Sequence, residues 1–288
     1  MIRKVVVIGA GTMGHGIAHV AAQAGCEVGL HDLDADRIAA GLAAIRANLD
    51  KGIAKGKVTA ADRDAILGRL RAAEELSGAC VDADLVIEAA PENLELKQDL
   101  VHAVFAAGRP EILFASNTSS LPITAIASHA KRPANVVGMH FFNPPHLMKL
   151  CEIVVAEQTS PATVDAVLAL AKRMGKETIR VNDAPGFATS RLGVLLGLEA
   201  IRMLESGVAS AEDVDRAMEV GYNHPMGPLR LTDLVGLDVR LAIAEHLFHE
   251  IGEQFRPPAL LRKMVRAGKL GRKTGEGFYR YDQKKDSP

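Results

Sequence analysis

The sequence has no tryptophan, and aromatic residues make up only 4% of its 288 positions. That scarcity argues against the aromatic platforms on which single-stranded nucleic acid stacks. An excess of charge of one sign is also lacking: 34 Lys and Arg against 35 Asp and Glu leave a formal charge of −1. The chain therefore has no overall positive field for nucleic acid or an anionic membrane surface. Cysteine is rare; Cys26, Cys80 and Cys151 lie far apart and form no CxxC pair. They are expected to be reduced thiols of a cytoplasmic protein, not a disulfide framework. No apolar run approaches the ~20 residues of a membrane span. The stretch Met1-Ile-Arg-Lys-Val-Val-Val-Ile-Gly9 leads into a glycine loop without a cleavage-type site. Neither a nucleic acid nor a membrane is expected as a partner.

What is present is ordinary globular material, 48% hydrophobic and 24% charged, in a length that suits one large domain or two smaller ones. Short apolar runs at Val5–Ile8, Glu27–His31, Leu85–Glu88, Ile112–Ala115, Val136–Met139 and Ile153–Val155 read as strands. Helical patterns such as Met13–Ala24 and Leu94–Ala106 lie between most of them. This alternation predicts an α/β fold, a Rossmann-type doubly wound sheet. Between the second and third of these runs, residues 35–75 read as an inserted helical hairpin joined at Lys55-Gly-Lys-Val58, its second helix capped by Thr59 with Asp62 at N3. After Asp183-Ala-Pro-Gly186 the strand signals stop, and helices are expected at Phe187–Glu205, from Ser210 to Gly221, at Leu229–Ile251 and at Pro258–Ala267. The boundary falls at Pro185-Gly186, giving a dinucleotide-binding domain over 1–184 and an all-α C-terminal domain over 185–288, with the tail 282–288 expected to fray.

The first strand runs into Gly9-Ala-Gly11-Thr12-Met13-Gly14, a G-x-G-x-x-G loop that opens an alanine-rich helix. Gly9 allows the tight turn, Gly11 lets the backbone approach a pyrophosphate, and Gly14 lets helix pack on strand. The first turn of that helix, with Thr12 and Met13, supplies unpaired N–H donors for phosphates. Asp32 closes the next strand, 18 positions after Gly14, where a carboxylate accepts from the adenosine ribose hydroxyls and repels a 2′-phosphate. Neither Leu33 nor Asp34 offers a basic substitute, so the expected cofactor is NAD.

Among ten histidines, His140 is distinguished by following the Val136–Met139 strand at the carboxyl edge, where ligands of open α/β sheets bind. Removing hydride from a secondary alcohol needs a base for the hydroxyl proton, a task suited to histidine near neutral pH. Twelve positions on, Glu152 can orient the imidazole and stabilise its charged form, the base–orienter logic of a catalytic triad without a nucleophile. Ser119 also follows a strand, and its hydroxyl can donate to the substrate oxygen, although a serine in a Ser/Asn/Thr cluster also suits a plain turn. His140, His146, Cys151 and Glu152 show no standard metal-ligand spacing, and no metal is expected.

Taken together, Gly9–Ala18, Ser116-Asn-Thr-Ser-Ser120, His140-Phe-Phe-Asn-Pro144, Asp183-Ala-Pro-Gly-Phe187 and Gly271-Arg-Lys-Thr-Gly-Glu-Gly-Phe-Tyr279 resemble the 3-hydroxyacyl-CoA dehydrogenases, whose short-chain members are 3-hydroxybutyryl-CoA dehydrogenases. The resemblance runs over essentially the whole chain. It implies NAD-dependent oxidation of the (S)-3-hydroxyl of an acyl-CoA, and a homodimer formed through the helical domain. It also implies that His140 and Glu152 are the catalytic pair and that Ser119 touches both substrate and cofactor. Glu92, Lys97, Asn143 and Lys273 would be further cofactor contacts, and Asn48 and Lys55 of the hairpin would meet coenzyme A. Read without the resemblance, Glu92 is a carboxylate at a helix N-terminus, Lys97 a solvated charge, and the hairpin cations a solvated face.

One position departs from the family pattern. Where Asn commonly precedes the Arg after Pro-Gly-Phe, this chain has Ser190 before Arg191. Serine keeps a donor and an acceptor but is shorter, which puts the reach of that substrate contact in question. Two rival readings keep the fold: a dehydrogenase of a free hydroxy acid, gulonate-like or carnitine-like, which would not need the cationic hairpin, and a non-catalytic NAD-binding protein, against which the His140, Glu152 and Ser119 set argues.

Overall fold

The computed structural model describes residues 1–282; residues 283–288, and with them most of the tail expected to fray, lie outside the described residues. The chain divides into two compact units, Met1–Ala184 and Pro185–Pro288.

In the first unit the apolar runs become strands because their side chains are covered on both faces. It contains β1 (Lys4–Ile8), α1 (Thr12–Gln23), β2 (Glu27–His31), α2 (Ala35–Ala54), α3 (Ala60–Leu67), β3 (Leu70–Ala72), α4 (Leu76–Cys80) and β4 (Leu85–Glu88). There follow α5 (Leu94–Ala107), β5 (Leu113–Ser116), α6 (Ile123–Ala127), β6 (Val136–Phe141), β7 (Leu150–Val155), α7 (Pro161–Arg173) and β8 (Glu177–Asn182). One eight-stranded sheet results, in the order β3-β2-β1-β4-β5-β6-β7-β8. Every neighbouring pair is parallel except β6 and β7. Strand order reverses between β1 and β4, the switch point at whose carboxyl side a ligand crevice opens.

Two strands escape a reading by hydrophobic pattern. β3 is only three residues long. β8 is an edge strand of sequence Glu-Thr-Ile-Arg-Val-Asn, largely solvent-facing, with the charges that protect sheet edges. β3 also recasts the hairpin. α2 and α3 together form the crossover from β2 to β3 instead of an insertion between longer strands. The hairpin's second helix begins as its sequence predicts, with Thr59 accepting from the Asp62 N–H and Asp62 reaching back to the Thr59 N–H.

The second unit contains α8 (Thr189–Glu205), α9 (Ala211–Gly221), α10 (Pro228–Val235), α11 (Leu237–Glu250) and α12 (Ala259–Arg266). Its core gathers Leu198, Ile201, Leu229, Leu237, Leu247 and Leu261. The single helix expected over 229–251 is two, broken where Gly236 takes φ 103°, a backbone conformation that side chains resist. The glycine-rich segment after Leu270 owes its composition to packing: a side chain at Gly271 or Gly277 would collide with Asp233. Buried Asp233 accepts from the Phe278 and Tyr279 N–H groups and the Tyr281 hydroxyl, so it holds the segment against α10. Burial pushes the Asp233 carboxyl up from its usual range despite these bonds. No helix among the described residues is long and apolar enough to cross a membrane.

Candidate active site

The glycine loop has the geometry its spacing implies. Gly9 turns with φ 96°, and a Cβ there would meet the Ala89 carbonyl oxygen at 2.6 Å. A Cβ at Gly14 would overlap the Gly9 carbonyl, whereas Gly11 faces open space. Gly11 caps α1 without a side-chain hydrogen bond, which leaves the first-turn N–H groups for an anion. Beside it lies a cleft of about 460 Å³, lined in part by Gly9, Gly11, Thr12, Met13, Asp32 and Arg37. Asp32 Oδ2 accepts from the Ala10 N–H at 2.7 Å and Oδ1 from the Leu33 N–H at 2.8 Å. A carboxylate has about four acceptor sites, so two backbone bonds fix its plane and leave capacity for a diol. A loop that admits a pyrophosphate and a fixed carboxylate at the cleft fit a dinucleotide.

His140 and Glu152 are directly opposed across the antiparallel pair β6–β7. Opposed residues of such a pair place their side chains on one face, which is why a spacing of twelve in sequence becomes a contact. His140 Nδ1 and Glu152 Oε2 stand 2.6 Å apart, with Glu152 wholly buried and His140 7% exposed. The strands are longer than their apolar runs predict: β6 continues through His140 to Phe141, and β7 starts at Leu150, so both residues sit within the ladder. The Phe142 ring packs on the imidazole at 4.7 Å between centroids. Lys176 donates to the carbonyls of Pro145 and Met148 and so ties down the loop that follows.

A third cluster centres on Glu88, which the sequence does not single out. Glu88 ends β4 and is fully buried; its Oε1 accepts from Lys97 Nζ at 2.6 Å and from the Ala90 N–H at 2.6 Å, while Oε2 accepts from the Ser116 hydroxyl at 2.6 Å. Lys97, at 1% exposure, is not a solvated charge. Its ammonium also meets the Ala90 carbonyl at 3.2 Å and lies 3.5 Å from Glu92. Glu92 Oε1 in turn accepts from the Thr118 hydroxyl at 2.5 Å, the Ser119 N–H at 3.2 Å and the Ser120 hydroxyl at 3.0 Å. The turn after β4 and the Asn117–Ser120 turn after β5 are thus pinned to each other through Glu92, with the Glu88–Ser116 bond beside it and the buried Lys97 ammonium reaching both carboxylates. The signal in the sequence is small: Glu88 is a carboxylate closing the apolar run Leu85-Val-Ile.

The remaining expected residues are placed as follows. Ser119 is half-buried and joins the Glu92 network through its backbone, not its hydroxyl. Asn143 is exposed two residues beyond β6. Asn48 and Lys51 lie on α2, and exposed Lys55 is its C-cap. Their spacing of three and four residues sets them along one stripe. In the second unit, Ser190 is in the first turn of α8, and Lys273 Nζ pairs with Asp238 at 2.6 Å.

Two further groups belong to packing. His19 on α1 stacks on His146, ring centroids 5.4 Å apart. Burial, assisted by the nearby His146, His15 and Lys176 side chains, drives the His19 imidazole down to about 4. Burial likewise pushes the Cys80 thiol up to about 11 and the Cys151 thiol to about 12, so neither is poised as a nucleophile.

The family model for the NAD-binding domain of 3-hydroxyacyl-CoA dehydrogenase matches residues 4–184, and that for the C-terminal domain of the same family matches residues 186–281. The chain is 44% identical over 289 residues to a 3-hydroxybutyryl-CoA dehydrogenase of Bradyrhizobium diazoefficiens, covering 100% of this chain and 98% of the relative. It is 43% identical over 284 residues to one of Clostridioides difficile, covering 97% and 100%. Its structure resembles the crystal structure of (S)-3-hydroxybutyryl-CoA dehydrogenase from Ralstonia eutropha with a TM-score of 0.95 at 42% identity, covering 98% and 100% of the two chains. The chain therefore belongs to the 3-hydroxyacyl-CoA dehydrogenase family, NAD-dependent oxidoreductases acting on 3-hydroxyacyl-CoA.

Proposed function

We propose that this chain interconverts an (S)-3-hydroxyacyl-CoA and the 3-ketoacyl-CoA, with His140 as the general base and Glu152 as its orienter. The observation that carries this assignment is the buried 2.6 Å contact between His140 Nδ1 and Glu152, made across β6–β7 near the carboxyl edge of the sheet. Because Nδ1 faces the carboxylate, Nε2 is the ring nitrogen that takes the hydroxyl proton in oxidation and returns it in reduction. Glu152 fixes the ring tautomer and offsets the positive charge that develops on it. NAD, when bound, supplies the hydride-accepting nicotinamide. Gly9, Gly11, Thr12, Met13 and Gly14 receive its pyrophosphate, Asp32 its ribose diol, and Glu92 and Asn143 its nicotinamide end. Lys97 acts there through Glu92, since its own ammonium is buried. Lys273 is a further dinucleotide contact by family pattern.

Ser119 donates to the substrate oxygen, Ser190 adds a shorter contact than the usual asparagine, and the Asn48–Lys55 stripe meets the phosphates of coenzyme A as point-charge donors. The chain works as a cytoplasmic homodimer through its second unit, where α8, α10 and α11 expose Leu192, Leu234, Val235 and Val239. The test is NADH oxidation with acetoacetyl-CoA, a longer 3-ketoacyl-CoA and free acetoacetate. Turnover of the thioesters with little on the free acid is expected. Preference for the free acid would favour the hydroxy-acid reading, and no turnover with any of the three a non-catalytic one.

A further inference from the structure

The cleft beside the glycine loop contains a basic side chain that the sequence between β2 and α2 does not announce. Arg37 follows Asp32 by five residues, in the first turn of α2, where the N-cap Asp34 accepts from its backbone N–H. Its guanidinium lies between two carboxylates, Nη1 3.7 Å from Asp32 Oδ1 and Nε 3.2 Å from Asp34 Oδ2. Asp32 is nearly enclosed and Arg37 largely exposed, at 12% and 65% side-chain accessibility, and both line the same 460 Å³ cleft. A ribose 2′-oxygen bound to Asp32 would therefore stand within reach of this guanidinium. A planar fork of N–H donors beside that oxygen is the recognition chemistry a phosphate monoester takes.

We propose that Arg37 is a second cofactor-specificity residue, which admits a 2′-phosphorylated dinucleotide as a weaker alternative to NAD. Asp32 repels a 2′-phosphate, and Asp34 and Asp36 in the same turn add to that repulsion. Arg37 screens the nearest of these charges and offers its own hydrogen bonds to the phosphate. Preference for NAD stands, but it is narrower than an unscreened Asp32 would impose. Because Arg37 is largely exposed, the effect is also salt-dependent, the Debye length being only about 8 Å at 0.15 M ionic strength.

This inference rests on the dinucleotide reading of the cleft, and the test separates the two. Calorimetric titration at low salt compares adenosine 2′,5′-bisphosphate with 5′-AMP on wild type, Arg37→Gln and Asp32→Ser, alongside NADPH and NADH turnover. Arg37→Gln is expected to widen the ratio of the two dissociation constants, bisphosphate over AMP, roughly tenfold, about the loss of one charge-assisted contact. Asp32→Ser is expected to reverse the preference, and adding Arg37→Gln to it should cancel that gain. An unmoved ratio in Arg37→Gln, with the preference still reversed by Asp32→Ser, would overturn the role of Arg37 alone. Unchanged binding of both nucleotides in Asp32→Ser would instead overturn the assignment of the cleft.

Discussion

Replacing Lys97 by methionine removes an ammonium that is 1% exposed and leaves its partner Glu88, wholly buried, without a cation. Breaking a buried ion pair from one side costs about 3–5 kcal/mol, because the stranded charge keeps its desolvation penalty. Two donors stay with Glu88, the Ala90 N–H and the Ser116 hydroxyl, each at 2.6 Å, which favours the lower end, about 3 kcal/mol. For a unit the size of the first, that corresponds to a melting temperature lower by roughly 6–12 °C. Pairing Lys97→Met with Glu88→Gln removes both charges, so the double variant should recover stability relative to Lys97→Met alone. The pinned turns carry Glu92 and Ser119, so a rise in KM for NADH should accompany the loss of stability. Differential scanning calorimetry with steady-state kinetics on wild type and the three variants measures all of this. A Lys97→Met protein within 1 °C of wild type would refute the reasoning, as would a double variant no better than the single one.

Acid stability should depend on His19, whose imidazole is held down to about 4 by burial. The unfolded state, with a histidine near 6.5, binds the proton more readily, so stability is full above pH 6.5 and falls as pH drops toward 4, by on the order of 3 kcal/mol. Urea unfolding of His19→Gln should show a flatter pH dependence across that window; an unaltered slope would contradict the assignment. Lys55→Ala should raise KM for acetoacetyl-CoA a few-fold with kcat little changed, since the charge sits on the hairpin proposed to meet coenzyme A and not at the reacting carbon. An unchanged KM at low ionic strength would count against the hairpin as the coenzyme A surface.

The parts of this protein legible in its sequence are those written by local physics. Gly9, Gly11 and Gly14 announce a turn, room for an approach and a contact, and the structure has a turn at Gly9, open space at Gly11 and close backbone packing at Gly14. Thr59 and Asp62 spell a helix start that needs no tertiary partner. His140 and Glu152 are recognisable as candidates, but their contact depends on register, and register became visible only when β6 and β7 paired antiparallel. Edge strand β8 stayed hidden because its polar alternation carries no core signal. The break at Gly236 stayed hidden because the buried positions Leu229, Thr232, Asp233, Leu237, Arg240, Ala244 and Leu247 keep a helical spacing across it. Glu88, Lys97 and Ser116 are the clearest case: lysine in a helix reads as solvated, and only the fold brings a buried carboxylate to it. Arg37 is missed for the same reason, since five residues along the chain say nothing of a guanidinium 3.7 Å from Asp32.

The central claim is that His140 and Glu152 act as one base, and a double-mutant cycle on kcat tests it most directly. His140→Gln should lose ~10²–10⁴-fold in turnover while NADH affinity is nearly retained. Glu152→Gln keeps the size and a hydrogen bond to Nδ1 but removes the charge, so it too should depress kcat more than cofactor binding. Because each residue works through the other, the double variant should be far less impaired than the product of the two single losses. Multiplicative losses would show that the 2.6 Å contact has no catalytic consequence, and near-wild-type turnover in His140→Gln would remove the mechanism.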